Sequence, residues 1–180
     1  MKIKFLPILL FLGVFASSPS LLASDQPKHF TIGLASFATS VAYDTNWGTE
    51  TETFAGPAFF ASAAVNDNVA FRLTYARQKH EDASALKLDA MELSLLAGMG
   101  MANAGLKVYG SLGLFSEALK LSGFEDDEFS GLMLGAGIGY NWNPIALEFW
   151  LNIRDTSDYE DISGVDVVAL SGGLGLSARF

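Results

Sequence analysis

The chain has no cysteine, which excludes a disulfide framework and thiolate metal sites and leaves the fold to burial and backbone hydrogen bonds. Histidine is almost as scarce, with two in 180 residues, so chemistry that needs an imidazole base has only His29 and His80 to draw on. Basic residues are few: 11 Lys and Arg against 20 Asp and Glu give a formal net charge of -9. That sign excludes nucleic acid as a partner, because its phosphates would be repelled. Mean hydropathy is nevertheless positive, at +0.30. Beyond the N-terminus, however, no apolar run reaches the roughly 20 residues that a membrane helix needs.

The N-terminus carries Lys2 and Lys4, an apolar stretch from Phe5 to Ala16, and small residues at Ala23 and Ser24. This is the three-part plan of a secretory signal peptide over residues 1–23, with cleavage expected after Ala23 or Ser24. An uncleaved anchor is the competing reading, disfavoured by the short apolar stretch. Residues 24–180 are then one domain.

That domain reads in period two, the spacing that sends alternate side chains to opposite faces of a strand. Ile145, Leu147, Phe149, Leu151 and Ile153 alternate with Ala146, Glu148, Trp150, Asn152 and Arg154. Leu132, Leu134, Ala136, Ile138 and Tyr140 alternate with glycines and Asn141. Similar patterns run through 69–76, 91–99 and 106–115, while the run from Phe30 blurs beyond Phe37. Strands are expected near 29–43, 53–66, 68–79, 86–101, 105–120, 128–142, 144–155 and 165–180.

The connections fall into two kinds. Asn66-Asp67-Asn68, Ala102-Asn103-Ala104-Gly105 and Asn141-Trp142-Asn143-Pro144 are tight turns built from residues that accept left-handed or fixed backbone angles. The others are expected to be longer and acidic, around Asp44, Glu50 and Glu52, then Glu81 and Asp82, then Glu125 to Glu128, then Asp155 to Asp161. Short turns on one side and long loops on the other are the layout of a transmembrane barrel. In lipid every backbone amide and carbonyl must be paired, so spanning strands close on themselves. The fold expected over 24–180 is therefore all-β: an eight-stranded antiparallel up-and-down transmembrane β-barrel in the outer membrane of a Gram-negative bacterium. Both termini lie on the periplasmic side with the short turns. Tyr140, Trp142 and Phe180 suit the inner aromatic girdle, and Tyr43 and Tyr75 the outer one. A soluble lipocalin-like barrel would instead carry its charges outward; here the face opposite the apolar one is sparse and glycine-rich.

The segment Ala55-Gly56-Pro57-Ala58 through Val65-Asn66-Asp67-Asn68-Val69-Ala70-Phe71, the run Val108-Tyr109-Gly110-Ser111-Leu112-Gly113, the turn Asn143-Pro144 followed by Ile145-Ala146-Leu147-Glu148-Phe149, and the end Arg179-Phe180 resemble the OmpX/Ail/Lom group of eight-stranded outer-membrane proteins. The resemblance covers most of the mature chain and departs at Ala178, where the group usually has a tyrosine, and in the first strand, which does not match the group's pattern. It implies roles in surface adhesion and resistance to host defences. It also implies that Leu174, Leu176, Ala178 and Phe180 form the signal read by the barrel assembly machinery.

An eight-stranded interior is filled by side chains, so Arg72, Glu92, Lys107, Glu148, Arg154 and Arg179 are expected to form a polar network in the lumen. A narrow ion path is the alternative to a self-neutralising core. Catalysis on lipid A or phospholipid would need a nucleophile with a base in reach. His80, beside Glu81, Asp82 and Ser84, is the one candidate base, and no nucleophile motif accompanies it. The acidic clusters lack the glycine and spacing of a calcium loop. No enzyme activity, cofactor or metal is expected.

The function expected is that of a surface protein, structural or adhesive, acting through its outer loops. Trp47, Phe124, Glu125, Asp126, Asp127, Asp158, Tyr159 and Glu160 are the expected contact groups. The expected partners are outer-membrane lipids and lipopolysaccharide, the assembly machinery during biogenesis, and host surface or complement proteins. Closure removes sheet edges, so the chain is expected to be a monomer.

Overall fold

The computed structural model describes residues 26–45, 48–83, 85–121 and 127–180. The expected signal peptide, Trp47, Ser84, Phe124, Glu125 and Asp126 lie outside the described residues.

The elements in chain order are β1 (Phe30–Thr45), β2 (Gly48–Ala64), β3 (Val69–His80), β4 (Leu86–Met99), β5 (Gly105–Leu121), β6 (Asp127–Asn141), β7 (Ile145–Arg154), the short helix α1 (Ser157–Ser163) and β8 (Asp166–Arg179). Each strand pairs antiparallel with the next. β1 pairs with β8 from Thr31↔Arg179 to Asp44↔Asp166, closing an eight-stranded barrel without a crossover.

Burial alternates along the strands in the sense opposite to that of a water-soluble protein. On β7, Leu147, Phe149, Leu151 and Ile153 are exposed, whereas Glu148, Trp150, Asn152 and Arg154 are buried to 3% or less. On β3, Phe71, Leu73 and Tyr75 point out while Arg72, Thr74 and Gln78 point in. A continuous outward belt of Leu, Ile, Val and Phe is stable where it meets lipid chains, and this sets the barrel apart from a lipocalin-like one.

The short turns are tied to one another. Asn66 Oδ1 accepts the N–H groups of Asn68 and Val69 at 2.8 and 2.9 Å. Asp67 Oδ1 accepts those of Ala102 and Asn103, at 3.1 and 2.9 Å, from the next turn. Burial pushes the Asp67 carboxyl up, but the N–H groups of Asn103, Ala102 and Gly100 outweigh it and hold the group below the usual carboxylate range. Tyr140 and Trp142, with rings 4.8 Å apart, and Phe180 are exposed at this end.

The outer end departs from the sequence reading in three ways. The segment around Asp44, Glu50 and Glu52 is a continued ladder: Val41 pairs with Glu52, Tyr43 with Glu50 and Thr45 with Gly48. Thr45 Oγ1 donates to Gly48 O at 2.6 Å. Beyond lipid the outward face meets water, so the apolar contrast fades while backbone pairing persists. Tyr43 turns inward against a cluster of Val41, Phe115, Phe129 and Met133, so of the two expected outer-girdle tyrosines only Tyr75 faces out. The last connection contains α1, closed by Gly164 in the left-handed region at φ 68°.

The glycine-rich inward faces of β6 and β8 are occupied by rings from other strands. A Cβ at Gly137 would stand 2.2 Å from Cζ of Tyr109, and one at Gly173 would stand 2.7 Å from Cζ2 of Trp150. Glycine is required at these positions because aromatic side chains fill the lumen against the bare backbone.

Candidate functional site

The lumen holds two layers of charge. In the layer nearer the short turns, Arg72 from β3 pairs with Glu148 from β7, and Lys107 Nζ from β5 lies 2.5 Å from Glu148 Oε2. Tyr109 donates its hydroxyl to Glu148 Oε1 at 2.5 Å and accepts Arg72 Nη1 at 2.8 Å. The Arg72 guanidinium also lies over the rings of Trp150, Tyr109 and Phe60, at 4.9, 5.3 and 5.5 Å, where ring quadrupoles favour a cation.

In the outer layer, Arg154 donates through Nη2 to Glu92 Oε1 at 2.8 Å and through Nη1 to Glu117 Oε2 at 2.5 Å. Ser171 and Asn152 complete Glu92, donating to Oε1 at 2.7 Å and Oε2 at 3.2 Å. Arg72, Lys107 and Arg154 thus meet Glu92, Glu117 and Glu148, three formal charges of each sign. Buried charges are tolerated only when so paired and hydrogen-bonded.

Of the six expected lumen residues, five fall into these layers. Arg179 is buried on the same side but stands apart: its Nη2 donates to the carbonyls of Ala102 and Asn103 at 2.6 and 3.1 Å. Asn141 Nδ2 donates to Gly100 and Asn103 carbonyls at 2.6 and 3.0 Å. The two side chains close the lumen at the short-turn end. Glu117 is the member that the sequence reading missed, although it shares the parity of Lys107, Tyr109 and Phe115.

At the outer end the lumen is capped by apolar groups. Tyr159 is 5% exposed and stacks on Phe129 with centroids 4.3 Å apart and planes 6° from parallel. This corrects its reading as an exposed contact group: α1 folds the ring inward, where burial outweighs its position in an acidic loop. Asp158 Oδ2 accepts the N–H of Ser130 at 2.8 Å. Glu160 is exposed and accepts the Thr156 hydroxyl at 2.9 Å. Asp127 is exposed and already within β6, paired with Leu119. Asp155 outside the strands accepts the hydroxyl and N–H of Ser157 at 2.7 and 3.1 Å, which hold its carboxyl below the usual range.

His80 packs edge-on against Phe54 with centroids 5.1 Å apart. Its Nε2 faces Glu52, and its Nδ1 accepts the N–H groups of Asp82 and Ala83 at 3.2 and 3.0 Å. Both ring nitrogens are engaged in holding the rim. Leu174, Leu176, Ala178 and Phe180 share the outward face of the β8 end.

A family model described as the outer membrane protein beta-barrel domain matches residues 8–180. Among solved structures, Ail of Yersinia pestis is 17% identical with a TM-score of 0.52, over 85% of this chain and 99% of Ail. Neisserial surface protein A is 20% identical with a TM-score of 0.52, over 84% and 97%. OprG of Pseudomonas aeruginosa is 16% identical with the same score, over 86% and 97%. Ail is also known in complex with the heparin analogue sucrose octasulfate, at 18% identity, over 87% of this chain and 99% of that one, with a TM-score of 0.50. No curated protein matches the chain. At these identities the structural likeness concerns the fold.

Proposed function

This chain belongs to the outer membrane protein beta-barrel domain family, and on that premise we propose that its task, structural or adhesive, is carried by the outer end of the barrel. It resides in the outer membrane of a Gram-negative bacterium. The observation that carries the reading is a division of charge. Among the described residues, every acid but Asp67, Glu92, Glu117 and Glu148 lies in the outer parts of the strands or in the outer connections. The lumen is neutralised within itself, whereas the outer rim presents a net negative surface to whatever approaches. Such a surface steers cationic patches toward it and repels polyanions. A sulfated ligand of the kind found with Ail is therefore a poor match, and basic regions of host surface or complement proteins a better one.

Residues 1–23 serve as the export leader in this account. Leu174, Leu176, Ala178 and Phe180 present the apolar C-terminal pattern to the assembly machinery, and the closed sheet acts as a monomer.

The test is binding of cells expressing the protein to immobilised host matrix and complement factors, alongside variants with the connections at 81–85, 122–126 and 156–164 shortened. Binding that requires these connections, with the barrel intact by the mobility shift between boiled and unboiled samples, is the expected result. Equal binding by cells lacking the protein would remove adhesion and leave a structural role.

A further inference from the structure

The cations of the outer end are as few as its acids are many, and they are not scattered. Among the described residues, those beyond the apolar belt are Arg77 and Lys79 on β3, Lys87 on β4 and Lys120 on β5, three consecutive strands. They share the outward parity of Leu73 and Tyr75, of Met91 and Leu93, and of Leu112 and Leu114. The register sets Lys79 opposite Lys87, and Lys87 opposite Lys120. Three lysines thus stand in one row across the outer wall, and like charges directly opposite one another destabilise a sheet.

One level nearer the lipid, Asp89 holds Lys120 at 3.1 Å and Arg77 at 3.7 Å. Arg77 donates from Nε to the Tyr75 hydroxyl at 2.9 Å and lies 5.8 Å from its ring centroid. Its side chain is still 72% exposed. Beside this row is a groove of about 170 Å³ whose lining includes Tyr75, Asp89, Met91, Ser116, Ala118 and Glu128. Small Ser116 and Ala118 on β5 leave a hollow beside Met91, which stands opposite Tyr75, and the next outward-facing level toward the membrane is Leu73, Leu93 and Leu114 of the lipid belt.

We propose that this row and groove bind the phosphorylated glucosamine headgroup of an outer-leaflet glycolipid, the lipid A portion of lipopolysaccharide. The phosphates meet Arg77, Lys79, Lys87 and Lys120, and the root of an acyl chain lies in the groove against Tyr75 and Met91. The inference rests on the outward orientation of the barrel given above, not on what its outer connections bind. The geometry selects a lipid over a soluble anion. The row faces sideways at the edge of the lipid belt, and the acidic rim above it repels a polyanion arriving from water. An anion held in the membrane plane is delivered to the row directly. Phosphate contacts there offset the repulsion among the lysines, as charge-assisted hydrogen bonds do.

Native mass spectrometry of the refolded full chain in EDTA tests this. The probes are bisphosphorylated lipid A, the same lipid dephosphorylated, and phosphatidylglycerol. Preferential retention of bisphosphorylated lipid A is expected, falling about fivefold for each lysine removed in K79Q/K87Q/K120Q. Equal retention of phosphorylated and dephosphorylated lipid A, or of lipid A by wild type and variant, would overturn the proposal. So would a preference present with magnesium and absent in EDTA, which would assign binding to divalent bridging through Asp89 and Glu128. If the variant does not fold, the phosphorylated against dephosphorylated comparison on the wild type decides alone. A negative result in the host-factor assay leaves this one unaffected.

Discussion

Arg72 on β3 and Glu148 on β7 meet across the full width of the lumen, four strands apart in either direction around the closed ring. The pair joins opposite walls that no backbone ladder connects, and Lys107 and Tyr109 converge on the same carboxylate. Glu148 is therefore the centre of the inner layer rather than one of its ends.

Removing that carboxylate leaves two buried cations without their acceptor. Glu148→Ala should cost about 3–5 kcal/mol, read from urea unfolding in lipid vesicles. A compensated variant, R72M/E148L/K107M, should recover most of the loss, because apolar replacement of a whole buried ionic cluster is often neutral. An unchanged unfolding midpoint for Glu148→Ala would show that the layer is not a mutual neutralisation.

Gly137 touches the Tyr109 ring so closely that a methyl group has no room. Gly137→Ala should destabilise the barrel by about 1–3 kcal/mol through overpacking. Tyr109→Leu in the same chain should relieve the clash, making the two changes non-additive in the same unfolding assay.

Acid should weaken the short-turn end. The Asp67 carboxyl is held below its ordinary range in the folded chain, so its contribution is full above the unfolded carboxylate pKa of about 4. It is lost as pH falls through the lower folded value. Asp67→Asn should be less stable than wild type at pH 7, and the difference should shrink on acidification below about pH 4. Unfolding midpoints across that range check the sign.

Much of this architecture was legible in the chain itself. The alternation in 132–142 and 145–154 placed β6 and β7 within a residue or two, because lipid on one side and a polar lumen on the other maximise the contrast between faces. The contrast failed where that environment ended. Thr49, Glu50, Thr51 and Glu52 are polar on both parities, so their pairing with Val41 to Asp44 left no mark that apolar periodicity detects. Tyr159 was misplaced for a related reason: an aromatic among aspartates looks exposed until its partner Phe129, 30 residues away, is known. Glu117 carried a signal that went unread. The expected lumen set had four cations against two carboxylates, and that imbalance called for another acid of inward parity on β5.

A lumen closed on itself is the claim on which the rest depends, since it moves function from the interior to the outer wall and rim. Single-channel recording of the refolded chain in planar bilayers tests it most directly. The account predicts no conductance steps for the wild type and their appearance when the outer layer is removed in E92A/E117A/R154A, with both chains giving the heat-shifted band on gels. Discrete conductance from the wild type would contradict it.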